Sequence, residues 1–236
     1  MASHPKLQSL IDKAVFDYAM IEDGDRILVG ASGGKDSTAL TEYFALRSLR
    51  PDCNFSYKAV AIQSDFAPAF PEGIARLFSE WSVPFEIIGV DVIARLKNGH
   101  KMNCWWCSTQ RRTELLQYAI EHKFNKIALG HHLDDILETL LMNMLDRGEL
   151  STMPPKLSYE EYPVTILRPL CYASEKTLID YAREKGFASS ACTCAYQDNS
   201  GRKKARRLLE ELTGGSDAKK MRLFLSLKNI RSEYLP

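Results

Sequence analysis

The sequence predicts an α/β fold, a parallel sheet with helices on both faces, followed by a small basic helical extension. Three observations carry this expectation. Short apolar runs alternate with amphipathic stretches at helical spacing along most of the chain. A Ser/Gly-rich loop, Ser32-Gly33-Gly34-Lys35-Asp36-Ser37, joins the first apolar run to the helical stretch after it. Basic charge collects at the end: residues 195–236 hold ten Lys or Arg against five Asp or Glu, in a chain of net charge +1.

The elements follow in order. Leu10, Ile11, Ala14, Val15 and Tyr18 recur at helical spacing, so residues 7–20 are expected to be a helix. The turn Glu22-Asp23-Gly24-Asp25 precedes a buried strand over residues 26–31. After the Ser/Gly loop come a helix over 38–50, a strand over 57–62, a helix over 70–81 and a strand over 85–92. A helix over 111–122, a strand over 126–130 and a helix over 133–145 continue the alternation. Met153-Pro154-Pro155 breaks it, and residues 148–162 read as a loop. A fifth strand over 164–167 and a helix over 175–185 lead to the basic helices, which Gly214-Gly215 interrupts. Parallel strands need crossovers of one hand, and such sheets bind ligands beyond their C-terminal strand ends. Residues 1–194 are expected to form the nucleotide-binding unit, with 195–236 as an extension packed on it.

At 236 residues, 45% hydrophobic and 26% charged, the chain can bury a core without disulfides. No apolar run reaches about 18 residues, so no membrane span is expected. Residues 1–13 lack a signal-peptide core, which makes the cytoplasm the expected location. The near-neutral balance excludes a globally basic nucleic-acid binder. The run Arg202-Lys203-Lys204-Ala205-Arg206-Arg207 reads either as a solvated helix face or as a phosphate-backbone contact.

Phosphate binding needs many N–H donors and close backbone approach. Gly33 and Gly34 permit that approach, and both tolerate positive φ. The helix start behind them adds unpaired N–H groups and partial positive charge. Ser32 and Ser37 add hydroxyls, Lys35 a point charge, and Asp36 a carboxylate suited to Mg²⁺. The spacing matches neither the Walker A loop nor the dinucleotide fingerprint. A second cluster, Gly130-His131-His132-Leu133-Asp134-Asp135-Ile136-Leu137-Glu138, follows the fourth strand. Asp135 and Glu138 share a helix face, and Gly130 lets backbone approach a ligand. His131 and His132 could be metal ligands, but loop histidines usually are not, and neither is expected to coordinate a cluster.

Six cysteines occur: Cys53, Cys104, Cys107, Cys171, Cys192 and Cys194. In a reducing compartment the Cys104-x-x-Cys107 and Cys192-x-Cys194 pairs are candidate metal, cluster or redox sites. Two thiols are too few for a cluster, and the later pair completes it if the chain folds back. Spacing alone leaves iron–sulfur, zinc and a thioredoxin-like redox pair open. Cys53 and Cys171 read as small apolar residues.

The string SGGKDS resembles the PP-loop of the ATP pyrophosphatases, which implies ATP cleavage between the α- and β-phosphates. Preceded by AVFDYAMIEDGD and followed in order by KIALGHHLDDILETLLMNML, MPPKL, ILRPL and FLSLKNIRSEYL, it makes the chain resemble the tRNA 2-thiocytidine synthetases from about residue 7 to 235. That resemblance implies ATP, Mg²⁺ and a [4Fe-4S] cluster on three cysteines. It implies adenylation at C2–O of an anticodon-loop cytidine, then displacement of AMP by a sulfide held on the cluster's open iron. Cys104 and Cys107 match two cluster ligands. Counting back from Arg202 makes Cys194 the third, and counting forward from Phe187 makes it Cys192.

Ala31, Ser32, Gly33, Gly34, Lys35, Asp36, Ser37, Ile62, Gly130 and Asp135 are then expected at the nucleotide, with backbone near Ile62 on adenine. Lys35, Asp36 and Asp135 carry catalysis, and Asp36 and Asp135 hold Mg²⁺. Arg111 and Arg112 are candidates for phosphate or RNA, and the Arg202–Arg207 run with Lys219-Lys220 for the tRNA backbone. A cysteine desulfurase or other sulfur donor is the implied partner besides tRNA, and a homodimer the implied assembly. The alternatives are uridine 2-thiolation, lysidine-type ligation without a cluster, or a zinc-containing nucleotide- or RNA-binding module.

Overall fold

A computed structural model describes residues 6–65, 67–95, 104–187 and 200–234. The elements run α1 (Lys6–Asp17), β1 (Arg26–Gly30), α2 (Lys35–Arg47), β2 (Ser56–Ser64), α3 (Glu72–Glu80), β3 (Phe85–Val90), α4 (Cys104–Glu121) and β4 (Lys126–Ala128). Then come α5 (Leu133–Arg147), β5 (Lys156–Ser158), β6 (Thr165–Leu167), a 3₁₀ turn (Pro169–Tyr172), α6 (Glu175–Glu184), α7 (Ser200–Thr213) and α8 (Asp217–Ser226).

The strands form one sheet in the order β3-β2-β1-β4-β6-β5. Every pairing is parallel except β5 with β6. Strand β5 corrects the reading of residues 148–162 as loop. It is three residues long and partly exposed, too short for a period-2 pattern to stand out. The strand order reverses between β1 and β4, so the switch point lies between those two ends.

The strands of the sheet's middle alternate their side chains between two cores. Ile27 and Val29 of β1 join α1, α2, α3, α5, α6, α7 and α8 in the larger core. Leu28 points the other way, to a smaller core with Leu115, Tyr118 and Ala119 of α4. Helices thus cover both faces, as expected, but unevenly: among the described residues α4 stands alone on its side. Ala205 and Leu209 of α7 and Phe224 of α8 are buried in the larger core.

Two helices start earlier than their periodicity suggested. Helix α2 begins inside the Ser/Gly loop, at Lys35, and α4 begins at Cys104. Polar and aromatic first turns hide the apolar rhythm that marks a helix in sequence. Among the described residues no helix is long and apolar enough to cross a membrane.

Candidate active site at the switch point

Strand β1 hands the chain to the Ser/Gly loop through an Ala31 N–H bonded to the Val60 carbonyl at 2.8 Å. The loop ties itself shut. Ser32 N–H donates to Ser37 Oγ at 3.1 Å, the two hydroxyls lie 3.0 Å apart, and Ser37 Oγ donates to the Gly34 carbonyl at 3.0 Å. Gly33 sits at φ +77°. Gly34, by contrast, is extended at φ −81°, so only one of the two glycines uses positive φ. Gly34 is also the N-cap of α2 and offers no capping side chain. The first-turn N–H groups of Lys35, Asp36 and Ser37 therefore remain available to an anion.

Gly130 closes the other side of the switch point. A Cβ there would lie 3.1 Å from the Ser37 nitrogen. Its missing side chain thus lets the end of β4 press on the first turn of α2, where the sequence suggested contact with a ligand. His132 then caps α5, accepting from Asp135 N–H at 3.4 Å while the Asp135 carboxylate accepts from His132 N–H at 3.2 Å. His132 is thus engaged in capping α5.

A charge network spans the two loops. Lys35 Nζ lies 3.1 Å from the Asp36 carboxylate and 3.8 Å from Glu175 at the start of α6. Arg206 bonds Glu138 at 2.8 Å and reaches Glu175 at 3.8 Å. Arg202 donates to Asp135 at 2.9 Å. Burial pushes the Asp135 carboxyl up, but His132, His131 and Arg202 outweigh it and hold it below its ordinary value. Glu138 is wholly buried, and burial raises its carboxyl against the pull of Arg206 and Arg202. Asp134 serves packing: it accepts from buried Lys220 at 2.7 Å and from the Glu175 N–H at 2.7 Å.

This network corrects the reading of the basic run. Arg202, Arg206 and Lys220 bond carboxylates of α5, Arg206 while still half-exposed, whereas Lys203, Lys204, Arg207 and Lys219 are exposed with no such partner on α5 among the described residues. Arg112 is exposed and donates to the Ser108 carbonyl of its own helix at 3.1 Å. Ile62 also needs adjustment. Strand β2 runs two residues past it, and Ile62 packs toward the α4 core. A cleft of about 620 Å³ opens just beyond, lined among others by Gln63, Ser64, Asp65, Phe70, Gly89 and Asp91.

Positions 104 and 107 fall one turn apart in the first turn of α4. That helix ends immediately before β4 begins and packs along the sheet, so its first turn lies toward the C-terminal strand ends. Cys192 and Cys194 lie outside the described residues. Cys171 is buried, and burial pushes its thiol up to about 12, which fits a small apolar role. Cys53 is half-buried. The sequence reading missed Glu175, whose only local signal is an acid in a first turn behind the cap Ser174.

A parallel sheet whose switch point carries a glycine-cradled helix start facing a carboxylate loop defines a PP-loop nucleotide-binding protein. The PP-loop domain family indeed matches residues 3–212. Within it, the chain belongs to the tRNA-cytidine(32) 2-sulfurtransferases. It is 39% identical to the enzyme of that name from Nitrosospira multiformis, over 98% of this chain and 79% of the relative. Identity to the one from Methylococcus capsulatus is 35%, over 98% of this chain and 81% of the relative. Among solved structures, a U34-tRNA thiolase from Methanococcus maripaludis, solved with its [4Fe-4S] cluster, has the same fold. It superposes with a TM-score of 0.77 at 20% identity, over 96% of this chain and 80% of that one.

Proposed function

We infer that this chain is an ATP-dependent tRNA sulfurtransferase that adenylates C2–O of an anticodon-loop cytidine, at position 32 as in its relatives' name, and replaces that oxygen with sulfur. The observation that carries the reading is the shared sheet edge: the Ser/Gly loop, the Asp135 loop and the Cys104–Cys107 turn all lie toward the C-terminal strand ends.

The residue roles follow from chemistry. N–H groups at the start of α2, with the Ser32 and Ser37 hydroxyls, hold the ATP phosphates. Lys35 neutralises developing charge, and Asp36 and Asp135 would hold Mg²⁺, which would supply positive charge to the pyrophosphate leaving group. Arg202 donates to one Asp135 oxygen at 2.9 Å, so a Mg²⁺ at Asp135 would have to share or replace that contact. Adenine enters the cleft beyond Ile62, against backbone at the ends of β2 and β3. Cysteines at helix positions one turn apart fit two ligands of a cluster, so Cys104 and Cys107, with Cys194 or Cys192, would hold the [4Fe-4S] group. When bound, that group supplies an open iron able to carry sulfide. Lys203, Lys204, Arg207 and Lys219 face solvent and suit a phosphate backbone, read without regard to base. Division of the chain near residue 194, a cytoplasmic homodimer and sulfur from a cysteine desulfurase belong to the same reading.

The test is mass spectrometry of tRNA nucleosides from cells lacking the gene. Loss of 2-thiocytidine is expected, and an unchanged profile would overturn the reading. In the purified protein, Asp36→Ala should abolish conversion of ATP to AMP at an unchanged melting temperature. Normal turnover in that variant would refute its role.

A further inference from the structure

Four Lys or Arg side chains are buried among the described residues: Arg47, Lys126, Arg168 and Lys220. Three sit on carboxylates, Arg47 on Asp52, Lys126 on Asp25 at 2.7 Å, and Lys220 on Asp134 at 2.7 Å. Arg168, 8% exposed, has no ion pair with any described residue. Its Nη1 donates to the Pro154 carbonyl at 2.6 Å, and its Nε is buried with no acceptor. A neutral carbonyl satisfies one N–H but leaves the charge uncompensated, and arginine cannot shed its proton. Burial holds its guanidinium below the ordinary value; Tyr159 opposes that shift, and a second cation, Arg112 of α4, adds to it. Such an arrangement is unfavourable unless an anion completes it.

Its position says which anion. Arg168 follows the last residue of β6, beside the end of β4. His131, in the loop just past β4, has a buried Nδ1 that also lacks a partner, and burial, Asp135 and then Arg168 act on its ring. Arg168 therefore stands at the C-terminal edge, between the loop that carries Asp135 and the helix that carries Cys107. We propose that Arg168, with Arg112 beside it, is a phosphoryl-binding subsite separate from the Ser/Gly loop. It takes two oxygens of a phosphoryl group on the guanidinium fork. The group comes either from the RNA backbone flanking the target nucleotide or from the α-phosphoryl of the activating nucleotide. The proposal rests on the functional reading above, which puts both groups at this edge.

The test uses the full chain with Arg168→Met and Arg168→Lys. Methionine removes an uncompensated charge, so the melting temperature should hold or rise, while tRNA thiolation should fall about a hundredfold. Lysine should restore part of the activity through charge alone. Direct binding separates the two sources. An RNA phosphate predicts a dissociation constant for tRNA about tenfold weaker in the methionine variant, with a salt slope smaller by about one. An α-phosphoryl partner predicts unchanged tRNA affinity and weaker binding of AMP. Wild-type tRNA and AMP affinities with wild-type turnover in the methionine variant would overturn the subsite. So would a lowered melting temperature with activity recovered in the cold, which marks a purely structural tie to Pro154. If the wild-type chain binds but does not thiolate tRNA, the functional reading fails, and the binding comparison still decides the subsite.

Discussion

At the scale of single residues, Gly33 carries two demands at once. Its φ of +77° is strained for any residue with a Cβ, and a Cβ there would lie 2.7 Å from Pro71 Cδ. Gly33→Ala should therefore cost about 1–3 kcal/mol in urea unfolding and displace the loop proposed to meet phosphate. Gly24, at φ +85° with nothing within 4 Å, is the control. Gly24→Ala has the backbone strain without the collision, so it should leave ATP-to-AMP conversion intact. Equal loss of activity in both would place the effect in global stability. Both glycines of the loop were legible as necessary in sequence. Which one turns left-handed was not, because that depends on how the segment ending at Pro71 packs over the loop.

At the scale of elements, α7 is held to α5 by opposite charges and by apolar packing of Ala205 and Leu209. Glu138 is fully buried, and the Arg206 guanidinium, half-exposed, bonds one of its oxygens. Removing one partner of such a pair leaves an unsatisfied buried carboxylate. Arg206→Met should cost about 1–3 kcal/mol in chemical denaturation. Adding Glu138→Gln should recover more than half of that loss, since the neutral amide tolerates burial. Additive losses in the double variant would show that the two side chains do not act together. The basic run read from sequence as one patch is in fact two faces of a helix. Residues 202 and 206 are four apart and share the inward face, as Ala205 does. Lys203, Lys204 and Arg207 make up the exposed face.

At the scale of the whole molecule, the uneven sheet is the notable feature. Seven helices build the larger core, whereas α4 rests on a small cluster around Leu115, Tyr118 and Ala119. Leu115 also packs where Gly30 leaves room, since a Cβ at Gly30 would lie 3.2 Å from its Cδ2. Leu115→Ala should cost about 2–5 kcal/mol. In hydrogen exchange, protection should fall across α4 before it falls across α2. Uniform loss over both helices would mean that the two cores unfold as one unit. Since α4 carries Cys104 and Cys107, any cluster they hold should lose iron faster in this variant.

Periodicity, the Ser/Gly loop and cysteine spacing are local properties, and they sufficed to define the α/β alternation, the Ser/Gly loop at the start of α2 and the candidate thiol pair. Boundaries slipped where polar first turns masked the helical rhythm, at Lys35 and Cys104. Only tertiary structure decided which charges face each other. Arg202 and Asp135 are 67 residues apart in sequence, and nothing near either predicts their pairing. Likewise Arg168 is unremarkable in the string ILRPL, and its lack of a carboxylate emerges only when β4, β6 and α4 converge. Local sequence sets backbone conformation through sterics and propensity. Charge compensation is set by what the folded chain brings within a few ångströms.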